Sequence, residues 1–261
     1  MTENPSNGEL TVTLDARPKP IHFPLSQAAV LVIDMQNDFG SKGGLFDLAG
    51  INISGIGAIV PSTARVLAGA RLAGIPVVYV KYGLRPDLLD LFEPDSPLRD
   101  RFLSYGVGAS TQGADGREGR IAVRDTWNTD IINELTPEPG DPTVYKHGYS
   151  AFHETELDLV LRGLGVKYLI VTGCTTSVCV ETAIREAHAR GYCCILLEDC
   201  TAEPIGQGAK GYIGVPGSAA SSGGANYDAT LVLVQTLFGW VSNSESVTKA
   251  LEVKQALAVQ T

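Results

Sequence analysis

The sequence lacks the features that would place the protein in a membrane or on nucleic acid. Its 261 residues contain no run of about 18 apolar residues, the shortest stretch expected to cross a bilayer as a helix. Acidic residues outnumber basic ones by 29 to 20, and the net charge of −9 argues against nucleic acid or an anionic membrane as the main partner. The first residues have neither the basic nor the apolar region of a signal peptide. We therefore expect a cytoplasmic location.

The cysteines do not form a disulfide pattern either. The five cysteines are odd in number and two of them, Cys193 and Cys194, are adjacent, which is not the pattern of a disulfide framework. The chain shows no internal repeat and no linker between two patterned halves, and 44% of it is hydrophobic, enough for one large core. We predict a single domain over residues 27–261. Residues 1–26 are polar and spaced by prolines, which predicts an extended N-terminal arm on the surface or on a neighbouring subunit.

The most informative stretch is residues 166–194. It contains an apolar run of the length of a buried parallel strand, Tyr168–Val171, which Gly173 interrupts. Residues 175–177 follow, and their hydroxyl groups are candidate N-caps of a helix. The helix is amphipathic, because four apolar residues recur at helical spacing: Val180, Ala183, Ile184 and Ala187. The stretch is therefore predicted to be a strand, a turn and a helix, with Cys179 in the first helical turn.

Cys179 is placed where a cysteine can become a nucleophile. The partial positive charge and the unpaired N–H groups of a helix N-terminus favour a thiolate, so we expect them to lower the pKa of this thiol. The same N–H groups can hold the oxyanion that forms when a thiolate attacks a carbonyl carbon. From this stretch alone, an inert and half-buried cysteine is an equal alternative. Cys174, at the end of the strand, is the weaker candidate and is interpreted as a packing residue.

Strands and helices alternate along the chain. Residues 28–35 and 77–80 are apolar runs, and between them residues 53–73 carry a helical pattern. We expect this helix to begin near Pro61, since proline is tolerated in the first turn. Alternation of this kind is typical of a parallel sheet with crossover helices. The sequence therefore predicts an α/β fold of three layers with a mostly parallel, doubly wound sheet.

The carboxyl ends of the predicted strands carry candidate site residues. Asp34 ends the first strand, Lys146 ends a strand over residues 143–145, and Cys179 follows a third. In an open α/β sheet this edge is where ligands bind, so we expect the three side chains to meet there. For Asp34 alone, a turn or capping role is the plainer alternative.

Two long segments are irregular. Residues 81–124 follow a strand end and are expected to cover the ligand-binding edge, because loops this long are usually functional or mobile. Arg85 is a candidate substrate ligand there, since a guanidinium can hold a carboxylate or a carbonyl at two points; a solvated surface arginine is the alternative. Residues 206–224 are rich in glycine, serine and alanine, which predicts a flexible loop that is a lid, a subunit contact or a tolerated insertion.

Three segments in this order resemble the isochorismatase-like cysteine hydrolases. They are LVIDMQNDF at residues 31–39, YKHGYSAF at residues 145–152 and VTGCTTSVCVETA at residues 171–183. The resemblance covers about residues 28–202, with a further match of FGWVSNS at residues 238–244. Each motif alone is weak, but three in the right order and structural context are specific.

The resemblance implies roles for the matching residues. Asp34, Lys146 and Cys179 correspond to the family's catalytic triad, in which the aspartate takes the thiol proton, the lysine stabilises the charged pair and the thiolate attacks an amide carbonyl carbon. It also implies a cis peptide bond at Cys174–Thr175, with the N–H groups of Thr175 and Cys179 directed at the oxyanion. We assign substrate binding to four residues: Asn37, Phe39, Tyr82 and Arg85.

No catalytic metal and no cofactor are expected. The metal-binding nicotinamidases of this family use an aspartate and two histidines after the second strand, whereas residues 81–146 contain no histidine. The same absence counts against nicotinamide as the substrate. A papain-like pairing of Cys179 with His147 or His153 is a rival arrangement that the aspartate and lysine make unnecessary. Family members associate, so we expect a homodimer or a homotetramer.

Four segments bear on the substrate. Residues 83–91 are similar to biuret hydrolases, whereas residues 15–18, 47–50 and 238–241 are similar to ureidoacrylate amidohydrolases. Both subgroups cleave a carbamoyl nitrogen from a small ureide. We predict a cysteine amidohydrolase that cleaves a C–N bond of a small ureide or carbamoyl compound through a Cys179 acyl-enzyme, releasing ammonia or a carbamate. The alternatives are hydrolysis of a simple carboxamide, such as a nicotinamide-like amide, and a non-catalytic binding protein that keeps the fold.

Overall fold

The computed structural model describes residues 10–205 and 224–258, whose strands build one large sheet and two small ones. The strands are β1 (Thr11–Leu14), β2 (Ile21–Pro24), β3 (Ala28–Ile33), β4 (Val77–Tyr82), β5 (Ser110–Gln112), β6 (Glu118–Arg120), β7 (Thr143–Lys146), β8 (Tyr168–Cys174), β9 (Cys193–Ala202) and β10 (Gly239–Ser242). Six of them form a parallel sheet in the order β10-β9-β8-β3-β4-β7. β1 pairs with β2, and β5 with β6, each in antiparallel orientation.

Helices cover both faces of the large sheet. The α-helices are α1 (Asn37–Gly40), α2 (Leu45–Leu48), α3 (Ser54–Leu72), α4 (Pro97–Ser104), α5 (Leu157–Gly163), α6 (Glu181–Ala189), α7 (Gly224–Leu233) and α8 (Ser244–Ala258). α3 and α8 pack on one face, and α5 and α6 on the other, which confirms the three-layer α/β fold with a mostly parallel sheet. Within the described residues, none of the helices is long and apolar enough to cross a membrane.

Strand β3 shows why the sheet lies between two layers. All six of its residues are buried. Alternate residues face opposite cores, the first set being Ala28, Val30 and Val32 and the second Ala29, Leu31 and Ile33. A continuous apolar run is what a strand needs when both faces of a parallel sheet are covered. Each fully buried valine, leucine or isoleucine contributes roughly 1.5–3 kcal/mol relative to exposure, so β3 firmly positions the residue that follows it, Asp34.

Helix α3 begins earlier than predicted. It starts at Ser54, so Pro61 lies inside the helix rather than in its first turn. A proline there removes a helical hydrogen bond and costs about 3 kcal/mol. Ile56 and Ile59 in the turns before Pro61 are buried against the core. Their burial offsets the cost of the proline and extends the helix towards its N-terminus.

The N-terminal arm, as far as the structure describes it (residues 10–26), is part of the core rather than a surface segment. Its described part forms β1 and β2, whose apolar residues are buried in the same core as α3 and α8: Val12, Leu14, Ile21 and Phe23. Arg17 then exchanges two backbone hydrogen bonds with Val241 of β10, at 2.8 and 3.0 Å. The arm thereby closes the β10 edge of the large sheet, which would otherwise offer unpaired backbone groups.

The structure describes one of the two segments that were predicted to be irregular, and nearly all of the other lies outside the described residues. Residues 81–124 contain more regular structure than predicted, namely α4 and the β5–β6 pair. The predicted loop at residues 206–224 lies outside the described residues, except for Gly224 at the start of α7.

Gly173 provides a stability test of the contact between β8 and β3. It has a φ of +122°, and a Cβ at this position would lie 2.0 Å from the carbonyl oxygen of Ile33. We therefore expect Gly173→Ala to lower the free energy of unfolding by about 2 kcal/mol or more in urea titrations. The matched control is Gly163→Ala in α5, where a Cβ meets nothing within 4 Å and no loss is expected. Equal urea midpoints for the two variants would contradict this close approach.

Candidate active site

Three strand ends meet at the carboxyl edge of the large sheet. Asp34 follows β3, Lys146 ends β7, and Cys179 lies after β8 in a π-helical turn, Thr176–Val180. Nζ of Lys146 is 2.8 Å from Oδ2 of Asp34 and donates to Sγ of Cys179 at 3.3 Å. All three residues are buried, and Cys179 is the most exposed of them at 8%. The structure thus brings the three predicted residues into one cluster.

Lys146 is held in a single position. Besides its contacts with Asp34 and Cys179, its Nζ donates to the carbonyl oxygen of Gly148 at 2.9 Å. One ion-pair partner and two hydrogen-bond acceptors therefore surround the ammonium group. The ammonium also lies 5.2 Å from the centre of the Tyr82 ring, whose face attracts a cation. Lys146 is therefore a fixed positive charge between the carboxylate and the thiol.

Burial determines the charge state of the cluster. It raises the pKa of Cys179 to about 12, and the opposing effect of Lys146 does not cancel this. The prediction that the helix N-terminus lowers this pKa is therefore wrong. Burial also raises the pKa of Asp34 against the effect of Lys146. Burial alone would lower the pKa of Lys146, but Asp34 and Cys179 outweigh it and the pKa is raised. At rest the thiol of Cys179 is therefore neutral, and Lys146 lies against the carboxyl group of Asp34 at 2.8 Å.

A carboxylate, not a hydroxyl group, caps the turn that carries Cys179. The backbone N–H of Ser177 donates to Oε2 of Glu203 at 2.7 Å, and the predicted hydroxyl cap is not formed. Glu203 follows β9 and is only 4% exposed. Next to it, the hydroxyl groups of Thr176 and Thr201 are hydrogen-bonded at 2.8 Å. The end of β9 therefore holds the nucleophile turn in place.

The chain enters this turn through a cis peptide bond between Cys174 and Thr175, which confirms what the resemblance implied. Cys174 is buried, and its Sγ donates to the carbonyl oxygen of Asp34 at 3.2 Å. This contact fits the interpretation of Cys174 as a packing residue. Thr175 and Cys179 both line the cavity described below. The role of their N–H groups towards an oxyanion stays a prediction.

A cavity of about 180 Å³ lies over the cluster. Asp34 and Cys179 form part of its wall, which is otherwise mainly aromatic and aliphatic. Phe39 and Tyr82, both assigned to substrate binding, line it with their ring centroids 6.3 Å apart. A largely apolar cleft with a few convergent polar groups is the usual form of a small-molecule site.

Two other residues assigned to substrate binding lie elsewhere, which corrects that assignment. Arg85 is exposed and pairs with Asp87 at 2.7 Å, so a neighbour in sequence captures its guanidinium. Asn37 is buried, but its side chain serves the fold. Its Nδ2 donates to the carbonyl oxygen of Trp127 at 2.8 Å, and its Oδ1 accepts from Ser41 at 2.8 Å. Neither residue lines the cavity.

The histidines of the rival papain-like arrangement are also outside the cavity. His147 contacts Glu154 at 3.0 Å, and the side chain of His153 is 70% exposed. In the part of the chain that the structure describes, no group of three or more histidine, cysteine, aspartate or glutamate side chains is placed to hold a metal ion. Independence of a metal stays a prediction, which activity after chelation tests.

Comparison with known proteins identifies the family. Residues 28–213 match the family model described as the isochorismatase domain. The chain belongs to the isochorismatase family. It is 36% identical over 253 residues to a ureidoacrylate amidohydrolase RutB of Methylorubrum extorquens, covering 97% of this chain and 94% of that protein. A ureidoacrylate amidohydrolase RutB of Cronobacter sakazakii is 34% identical, covering 95% of this chain and 98% of that protein.

Solved structures of isochorismatase-like proteins share the architecture. A cysteine hydrolase from Pseudomonas syringae pv. phaseolicola has a TM-score of 0.71 and 28% identity, covering 94% of this chain and 99% of that chain. The N-carbamoylsarcosine amidase from Thermoplasma acidophilum has a TM-score of 0.57 and 24% identity, covering 84% of this chain and 97% of that chain. The second likeness concerns the fold alone.

In this isochorismatase-family cavity, sequence reasoning missed the contribution of α4. Four of its lining residues lie on or directly after that helix: Leu98, Arg101, Phe102 and Tyr105. The sequence of α4, PLRDRFLS, has no clear apolar stripe, and none of its residues is buried in the structure. One signal was present, since Ser96 followed by Pro97 is a typical helix start. Tyr149, which follows β7, also lines the cavity and was not singled out.

The charge states of the family's cluster predict the acid side of the pH profile. Asp34 has to be ionised to take the thiol proton, and burial raises its pKa above the ordinary 3.8. We therefore expect kcat/KM to fall with decreasing pH, with a midpoint above that ordinary value. Far-UV circular dichroism over the same range serves as the control for unfolding. A profile that stays flat down to the ordinary carboxyl pKa would contradict a buried aspartate base.

Proposed function

We propose that this protein is a cysteine amidohydrolase that cleaves a C–N bond of a small ureide or carbamoyl compound through an acyl-enzyme on Cys179. The observation that carries the proposal is the contact of Lys146 with Asp34 at 2.8 Å and with Cys179 at 3.3 Å, beneath one cavity. A thiol, a base and a fixed cation are the groups that covalent amide hydrolysis needs. Relatives that match over nearly the whole chain are named ureidoacrylate amidohydrolases, which supports a ureide as the substrate.

Acylation begins with the thiol neutral, because burial raises the pKa of Cys179 to about 12. Asp34 takes the thiol proton while Sγ forms a bond to the carbamoyl carbon, and Lys146 compensates the negative charge as it moves between the two groups. The oxyanion faces the N–H groups of Thr175 and Cys179. The C–N bond then breaks, Asp34 gives its proton to the leaving nitrogen, and a thiocarbamate remains on Cys179.

Deacylation uses the same base. Asp34 takes a proton from a water molecule, whose oxygen adds to the thiocarbamate carbon. The C–S bond breaks, and the Cys179 sulfur recovers its proton from Asp34. If the substituted nitrogen left first, the product is unsubstituted carbamate, which decomposes in water to ammonia and carbon dioxide. If ammonia left first, the product is an N-substituted carbamate, which decomposes to an amine and carbon dioxide. An assay for ammonia therefore detects the reaction whichever nitrogen leaves first.

The hydroxyl group of Tyr82 is a buried hydrogen-bond donor that a substrate can pair with. The residue is 4% exposed, and its hydroxyl group has no hydrogen-bond partner among the described residues. Burial raises the pKa of Tyr82 well above 10.0, so the hydroxyl remains a donor. A buried donor without an acceptor costs about 1–3 kcal/mol, which a ureide oxygen in the cavity would recover. Phe39 supplies an apolar surface for the planar ureide.

An ammonia-release screen tests the proposal. The compounds are biuret, ureidoacrylate, N-carbamoyl amino acids, nicotinamide and simple carboxamides, and Cys179→Ser provides the blank. We expect ureides and carbamoyl compounds to be hydrolysed faster than nicotinamide or a simple carboxamide. Rapid turnover of an unsubstituted carboxamide with inert ureides would overturn the ureide assignment. No Cys179-dependent turnover of any compound would favour a binding protein.

We also propose that the chain forms a homodimer or a homotetramer. The described surface exposes large apolar side chains that an interface could cover, among them Leu72, Leu89 and Leu159. Sedimentation equilibrium tests this, and a species with the mass of one chain at every concentration would refute it. A cytoplasmic location remains a prediction from the sequence, which cell fractionation tests.

A further inference from the structure

The cavity carries one positive charge that none of the described residues neutralises. Among its lining residues in the described part of the chain, Arg101 of α4 is the only cationic side chain. Lys146, beside the cavity, is balanced by Asp34 at 2.8 Å. Because Cys179 is neutral at rest, the cavity has a net positive charge in a chain whose net charge is −9.

Arg101 differs from the other arginines of its segment. Its side chain is exposed at the rim of the cavity, and its guanidinium makes no ion pair or hydrogen bond with any described residue. The other five arginines between residues 83 and 126 are all bonded: Arg85 to Asp87, Arg99 to the carbonyl oxygens of Leu91 and Phe92, Arg117 to Asp115 and Asp130, Arg120 to the carbonyl oxygens of Gly108 and Pro86, and Arg124 to Asp90 and the carbonyl oxygen of Gly83. Arg101 is therefore available to a ligand.

Helix α4 holds Arg101 at the rim. Ser96 caps the helix by accepting a backbone N–H of the first turn at 3.3 Å. Phe102, the next residue after Arg101, packs on Phe92 with ring centroids 5.0 Å apart and on Tyr82 with centroids 6.4 Å apart. Since Tyr82 and Phe102 line the same cavity as Arg101, this packing sets the rotation of the helix over the site.

Tyr149 is a further polar residue in the wall of this cavity. It lines the cavity together with Arg101 and Cys179. Burial raises the pKa of the Tyr149 hydroxyl and Cys179 raises it further, whereas Lys146 and Arg101 lower it. The hydroxyl group of Tyr149 is therefore within electrostatic range of Cys179, Lys146 and Arg101. Because Cys179 and Arg101 line the same cavity, a small molecule whose carbamoyl carbon lies at Cys179 can place a second group near Arg101.

We propose that Arg101 binds a carboxylate group of the substrate and thereby makes the site favour an acid over its neutral counterpart. The inference rests on the proposed function, because it takes the attack of Cys179 on a carbamoyl group as given. A guanidinium holds a carboxylate through two parallel hydrogen bonds, which a neutral ureide such as biuret cannot reproduce. It also attracts an anion to the cavity of an otherwise acidic protein.

Comparison of an acid with its neutral ester tests the inference. 3-Ureidopropionate and its methyl ester carry the same carbamoyl group, and the ester replaces the charged carboxylate by a neutral group with one additional methyl. For Arg101→Gln we expect kcat/KM to fall by about 10- to 100-fold on the acid, mainly through KM, and to change by less than about threefold on the ester. Arg101→Lys restores part of the activity on the acid, since lysine keeps the positive charge but cannot donate two parallel hydrogen bonds from a planar group. Arg85→Gln is the matched control in the same segment and leaves both substrates unaffected.

A binding measurement separates this inference from the proposed function. Titration calorimetry with Cys179→Ser, with and without Arg101→Gln, measures the affinity for acid and ester without turnover. Weakening that is selective for the acid supports the role of Arg101, even if the wild-type protein hydrolyses neither compound and the proposed function is rejected. Equal weakening of both ligands, no weakening, or no binding of the acid to Cys179→Ser overturns the inference.

Discussion

Cys179→Ser is expected to lower kcat by about 10⁴-fold or more while leaving the fold intact. The hydroxyl group can still accept a hydrogen bond from Lys146, whose Nζ lies 3.3 Å from Sγ in the wild-type chain. An alcohol is much less acidic and less nucleophilic than a thiol, so Asp34 cannot generate an effective nucleophile from it. Cys179 is 8% exposed at the wall of the cavity, and the smaller serine changes the packing little. Ammonia release and the thermal unfolding midpoint measure the two effects.

Cys193→Ser is the matched control for this experiment. Cys193 begins β9, is partly exposed and does not line the cavity. We expect its replacement to change kcat by less than about twofold, because surface substitutions away from special features are nearly neutral. If Cys179→Ser kept activity similar to that of Cys193→Ser, the assignment of the nucleophile would be wrong.

Lys146→Met is expected to abolish activity and to destabilise the fold. The Lys146 and Asp34 side chains are 0% and 2% exposed, so methionine leaves a buried carboxylate without its counter-ion. Breaking a buried pair in this way costs about 3–5 kcal/mol. Burial raises the pKa of Asp34 and Lys146 lowers it, so loss of the lysine raises this pKa further. Asp34 is then protonated over a wider pH range and no longer accepts the thiol proton.

The pH dependence of stability distinguishes this cause from poor packing. A carboxyl group whose pKa is higher in the folded chain than in the unfolded chain is easier to accommodate in the fold when it is protonated. Its contribution to stability is fully present below the unfolded pKa and is lost as the pH rises through the folded pKa. The loss in the free energy of unfolding caused by Lys146→Met should therefore be larger in urea titrations at pH 8 than at pH 5. The double variant Asp34→Asn/Lys146→Met removes both charges and should regain stability without regaining activity. A deficit that is the same at both pH values would point to packing alone.

The sequence was sufficient for the residues whose position follows from strand ends. An apolar run long enough to be buried on both faces identifies β3, and the parallel arrangement then brings the residue after it, Asp34, to the same edge as Lys146 and Cys179. Each of these inferences depends on local pattern and on the general geometry of parallel sheets. The positions of these three residues can therefore be inferred without knowledge of long-range packing.

The residues that sequence reasoning misplaced depend on contacts that the local pattern does not show. Arg85 was assigned to the substrate, but Asp87, two residues later, holds its guanidinium at 2.7 Å. Arg101 was missed because its place at the cavity depends on how α4 packs over the sheet edge. Glu203 caps the turn at Ser177 from 26 residues away, so no local capping pattern reveals it. The expected pKa of Cys179 had the wrong direction because the helix start was visible in the sequence and the burial was not.

Trapping the intermediate tests most directly whether Cys179 carries the acyl group. Wild-type protein is mixed with excess 3-ureidopropionate, quenched in acid during turnover at a series of times, and examined by intact-protein mass spectrometry and then as a digest. We expect a chain heavier by one carbamoyl-derived acyl group, with the added mass on the peptide that contains Cys179. A chain that stays unmodified at every quench time while product accumulates, or an adduct on a different residue, would contradict an acyl-enzyme on Cys179.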